Sequence, residues 1–137
     1  MYEPIRTKSV HAMAAVPDFP HRSREEELEI RLAGHLTALL TVTDELRALA
    51  PDPALDDAAR RVAAQVARLR AGRAPLRAAP TPGAGTDAPA RLTALHQRAH
   101  TLAGQALVVA TSLADHQGAA LAAERMTSHA SAIGLAA

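Results

Sequence analysis

Three histidines are the leading candidates for chemistry in this chain. His96 and His100 stand four apart in the run His96-Gln97-Arg98-Ala99-His100. On a helix they share one face and can hold one metal ion between them. His35 lies on the apolar seam of an earlier helical segment. If the two helices run parallel, His35 sits about eleven residues above the start of its helix, and His96 and His100 about eight and twelve above theirs. At roughly 1.5 Å per residue the three reach nearly one height. Three imidazoles with an open fourth position make a zinc or nickel site. The competing reading needs no metal: the same positions suit a hydrogen-bonded core or rim histidine and two partly exposed ones. At that height the neighbouring segment offers Arg60, Arg61 and Gln65, not a carboxylate.

The histidine spacing is loosely similar to that of metal-binding DinB-like four-helix bundles, which use one His from an early helix and a His-x3-His pair from a late one. The resemblance covers His35 and the run from His96 to His100. It implies a metal-binding bundle with His35, His96 and His100 as ligands.

A second candidate is basic. Arg60, Arg61, Arg68, Arg70, Arg73 and Arg77 follow one another with no acid among them. A basic amphipathic helix can engage nucleic acid, an acidic protein or an anionic membrane surface; the bland reading is a solvated polar face balanced by Glu25, Glu26 and Glu27. Acidic residues are few, and none forms the paired Glu-x-x-His signature of di-iron bundles. Gly83-Ala84-Gly85 follows no strand and is linker composition, not a phosphate loop. Ser23, Ser112, Ser128 and Ser131 lack a His-acid context. No enzyme is expected. The chain ends Leu135-Ala136-Ala137, which looks like a terminus read by bacterial AAA+ proteases, although alanine-rich proteins often end this way.

Composition narrows the classes further. The chain has 137 residues, the size of one ordinary domain. It has no cysteine, which excludes disulfides, zinc-thiolate sites and a cysteine nucleophile. One Tyr, one Phe and no Trp argue against base-stacking platforms. The formal net charge is +1, so no global field points to nucleic acid or anionic lipid. Roughly a quarter of the residues are alanine, far above ordinary usage. Alanine is the best helix former, and β-branched and aromatic residues are scarce, so a large sheet is not expected. No uninterrupted apolar run reaches spanning length, and the first 20 residues lack a signal-peptide core. The expected compartment is the cytoplasm.

The elements that must position these residues are helices. Residues 1–22 show no period and read as an arm, loose or laid over the domain, that holds both aromatics, Tyr2 and Phe19. Ser23 with Glu26 makes a capping box, and the three glutamates suit the positive end of the helix dipole. The seam Leu28, Leu32, His35, Leu39, Val42, Leu46, Leu49 then predicts a helix over 24–50, stopped by Pro51. Asp52-Pro53 is an N-cap followed by proline, predicting a second helix over 53–71 with Gly72 as its stop. The short connection makes these two antiparallel. Residues 73–88, with Pro75, Pro80, Pro82, Gly83 and Gly85, are the linker.

A third helix is expected over 88–117. From Ala99 to Ala114 it carries no Asp, Glu, Lys or Arg, so we expect it to be central or to form an oligomer interface. Its Leu107 and Val108 are candidate partner contacts, as Arg60, Arg61 and Arg68 are for an acidic partner. The apolar register slips near Gly118, which predicts a break there and a fourth helix over 119–133, as against one continuous helix.

The expectation is an all-α, up-down bundle of three to four helices forming a single domain over 23–137. Its function is read as a non-enzymatic protein–protein interaction or assembly module without a cofactor, pairing as a homodimer. The His-ligated metal protein and the Arg-mediated binder stand as alternatives.

Overall fold

The computed structural model describes residues 22–81 and 87–134. Among these residues are four helices: α1 (Arg24–Leu49), α2 (Pro53–Leu69), α3 (Ala88–Ser112) and α4 (His116–Ala132). The arm with Tyr2 and Phe19, linker residues 82–86 and the terminal Leu135-Ala136-Ala137 lie outside the described residues.

Local chemistry accounts for most helix ends. The Ser23 hydroxyl accepts from the Glu26 amide at 3.0 Å, while the Glu26 carboxylate accepts from the Ser23 amide at 2.8 Å. The capping box is therefore complete, and two donors that the first turn cannot satisfy are held. Asp52 caps α2 by accepting from the Ala54 amide at 2.9 Å, with Pro53 in the first turn.

The break between the last two helices comes earlier than the slip at Gly118 suggests. α3 ends at Ser112 and α4 begins at His116. Ala114 takes the left-handed conformation at φ 57°. Its amide bonds to the Thr111 carbonyl, and the Asp115 amide reaches the Ala110 carbonyl at 2.9 Å. This is a Schellman ending with alanine where glycine is usual. Asp115 then caps α4 by accepting from the Gly118 amide at 3.0 Å. Gly118 is inside the first turn of α4. A Cβ there would lie 2.9 Å from an Asp115 carboxylate oxygen and 3.4 Å from Leu32 Cδ2. Its glycine thus permits the cap and the close approach to α1, and does not break the chain.

The charge pairs and contacts at the helix ends fix the topology. One end of the bundle gathers Glu25 and Glu29 of α1, Arg68 of α2, Leu113 after α3 and Asp115 before α4. The other gathers Leu46, Asp52, Leu92 and Ala132. α1 and α3 are therefore antiparallel neighbours, as are α1 with α2 and α3 with α4; α2 touches α4 more thinly. The order is up-down-down-up, with the linker climbing back along the bundle. Its described part, 73–81, has no regular structure and is tied to the end of α1. Arg77 forks onto Asp44 at 2.7 and 3.0 Å, and Thr81 donates twice to Glu45 at 3.0 Å. The Thr81 amide, foremost, holds the Glu45 carboxyl below its usual range.

The core is led by α1, not by α3. Leu32, Leu36, Leu39, Leu40 and Leu46 of α1 are fully buried, with Val62 and Val66 of α2 against them. α3 turns Ala99, Ala103, Ala106 and Ala110 inward. Its opposite side, through Thr101, Gln105, Val108 and Ser112, faces solvent without a charge. The lack of charge from Ala99 onward therefore does not mean that α3 is surrounded: uncharged residues, most of them polar, make up its outer face there. No described helix is long and apolar enough to cross a membrane.

Candidate functional site

The antiparallel course of α1 and α3 carries His35 past His100, to roughly 9 Å from His96 along the axis at about 1.5 Å per residue. His35 lies half-buried on α1; burial, then the Arg31 charge, lowers its pKa. His96 and His100 lie half-buried on α3, near the end where α3 starts. Measured down from that end, their positions fall beside the later turns of α1, beyond His35. Among the described residues no three His, Cys, Asp or Glu side chains come together to hold a metal. The zinc or nickel site of His35, His96 and His100, and with it the ligand set of the DinB-like resemblance, is not assembled.

His96 instead meets a partner from α4. Its Nδ1 lies 2.9 Å from Nδ1 of His129, with the rings tilted 45° and their centroids 5.2 Å apart. His129 is 1% exposed and Arg125, one turn earlier, 6%. The spacing of four puts both α4 side chains on the inward face. Arg125 Nη2 is 3.4 Å from His129 Nε2. These contacts order the protons. A guanidinium only donates, so His129 Nε2 accepts and its proton sits on Nδ1. His129 Nδ1–H then donates to His96 Nδ1, which leaves the His96 proton on Nε2.

Both imidazoles are neutral at ordinary pH. Burial foremost, then the Arg125 charge and repulsion from His96 and His100 when they are protonated, pushes the His129 pKa down to about 3. Burial and Arg125 lower that of His96. The cluster's one fixed charge is the Arg125 guanidinium, itself made less basic by burial. Such a set repels a cation and suits an anion or a hydrogen-bonding neutral group. Beside it opens a cavity of about 320 Å³ at the bundle end, bounded by Leu46, Leu55 and Leu92.

His129 belongs to the apolar positions of the fourth segment, between Met126 and Ile133, and that was its only signal in the sequence. Arg125, one turn before it, gives no local sign of burial. Only the pairing of α3 with α4 brings them to His96.

Four of the six arginines of the basic stretch, Arg60, Arg61, Arg68 and Arg77, are paired with carboxylates of the chain itself. Arg60 and Arg61 bond Asp57, Arg61 also forks onto Glu124 at 2.9 and 3.0 Å, and Arg68 reaches Asp115 at 2.6 Å. On α3, Leu107 is half-buried against the core, whereas Val108 stands 66% exposed. No family model matches this chain, and no curated protein or solved structure does either.

Proposed function

We propose that the chain is a non-enzymatic interaction module of the cytoplasm, assembling with a second copy of itself through the outer face of α3. The observation that carries this reading is the charge-free exterior of α3 between Ala99 and Ala114, with Val108 at its centre. A two-fold interface sets the same surface against itself, so like charges near its axis would face each other. The outer face of α1 begins with Glu25, Glu26 and Glu27, and α2 carries Arg60 and Arg68 outward. The exterior of α3 brings no such conflict. An antiparallel pair centred on Gln105 would place each Arg98 opposite the other copy's Ser112.

Arg60, Arg61 and Arg68 do not favour an acidic partner, because carboxylates of the same chain already hold them. The test is sedimentation equilibrium of the full chain, whose monomer is 14.3 kDa. The expected species is a dimer that Gln105→Glu shifts toward monomer, since it sets two carboxylates across the axis. A wild type that stays monomeric at every concentration measured would sink the reading.

A further inference from the structure

Among the described residues two charged side chains are buried, and they are satisfied very differently. Asp44 accepts from Arg47 at 2.9 Å and from Arg77 at 2.7 and 3.0 Å. Arg125 is 6% exposed yet makes only long contacts. Its Nη2 contact with His129 is 3.4 Å, its Nη1 contact with Ser128 Oγ is 3.5 Å, and the Glu124 carboxylate stays 3.7 Å away. Its Nε is buried with no hydrogen-bond acceptor. A buried cation needs pairing, and each missing partner leaves a desolvation cost unmet.

This side chain lines the cavity at the bundle end, with His96 and His129 on the polar side and Leu46, Leu55 and Leu92 on the other. We propose that the cavity binds a small organic monocarboxylate, its carboxylate on the Arg125 guanidinium and its apolar body against Leu46, Leu55 and Leu92. A guanidinium offers the fork that a carboxylate fits. The neutral histidine pair brings no competing charge, and the inferred proton order leaves His96 Nε2–H as a second donor. Asp52 also lines the cavity; its carboxylate disfavours a doubly charged ligand such as phosphate. The volume, about 320 Å³, is at the lower end for small-molecule sites. The inference does not depend on self-association through α3, whose outer face points away from this cavity.

The experiment titrates the ¹⁵N-labelled full chain with hexanoate, hexanol and inorganic phosphate at constant ionic strength. It follows the Arg125 Nε–H resonance and the melting temperature. Hexanoate should move the Nε–H signal saturably and raise the melting temperature; hexanol and phosphate should do neither to the same degree. Arg125→Met, an apolar side chain of similar reach, should melt at or above the wild type and bind hexanoate at least about tenfold more weakly. Equal binding by Arg125→Met, or no saturable shift with hexanoate, would overturn the proposal. Phosphate binding as tight as hexanoate would also overturn it, because the site would then need no apolar body. The wild-type titration decides the matter even if the variant does not fold.

Discussion

The two helical hairpins of this bundle are built on opposite plans. α1 and α2 fill their shared core with branched side chains, from Leu32 to Leu46 on one side and from Val62 to Val66 on the other. Their exteriors carry ion pairs such as Arg61–Asp57 and Arg47–Asp56. α3 and α4 meet through alanines, with Met126 of α4 lying over Gly104 of α3. Here the polarity is turned inward: Arg125 and His129 are buried, while the exterior of α3 carries no charge beyond Arg98. Small residues let backbones approach but remove little apolar area from water, roughly in proportion to side-chain size. The first hairpin therefore supplies most of the large apolar side chains of the core. The second supplies the surfaces and groups that a pure scaffold would not need.

Substitutions can sharpen this contrast. The largest effect belongs to the first hairpin. Leu36→Ala removes a fully buried side chain and should cost about 2–5 kcal/mol in urea unfolding. A loss under 1 kcal/mol would mean that α1 does not lead the core.

Acid should act through the second hairpin. The folded His129 pKa is depressed to about 3 from an ordinary 6.5, so between those values the unfolded chain binds the extra proton. This contribution is complete above pH 6.5 and is lost as pH falls toward 3, at a rate on the order of 1 kcal/mol per pH unit. Urea unfolding of wild type and His129→Gln across that range should show a flatter dependence in the variant. Matching slopes would contradict burial of a neutral imidazole.

Overpacking tests the alanine seam. Ala103→Leu should destabilise by about 1–3 kcal/mol, because fully buried Ala103 has no room for three more carbons. Relief of strain between α3 and α4 is smaller and opposite in sign. Ala114 has φ 57°, where a Cβ is costly, so Ala114→Gly should raise stability by about 1 kcal/mol in thermal unfolding. Smallest is Arg61→Ala. Its bonds to Asp57 and Glu124 are well exposed, and such pairs are worth about 0–1 kcal/mol.

The same contrast sets what could be read from the sequence. In the first hairpin the signals are local: Ser23 with Glu26, Asp52 with Pro53, and a seam of large residues. The structure follows each of them. In the second hairpin the seam is alanine, which favours a helix but marks its faces poorly. Glycine also misleads there. The left-handed position falls to Ala114, while Gly118 serves close packing. The His96–His129 contact joins residues 33 apart in sequence, and no local pattern encodes such a pairing. The common height of His35 with His96 and His100 assumed parallel helices, whereas the linker through Arg77 and Thr81 returns the chain to the end of α1 and makes α3 antiparallel.

The most direct test of the inward-polar second hairpin is long-range ¹H–¹⁵N NMR of the histidine rings in the full chain. His129 should carry its proton on Nδ1 and stay neutral between about pH 5 and 8, with Nε2 unprotonated toward Arg125. A His129 that titrates within that range, or that carries both ring protons at pH 7, would contradict it.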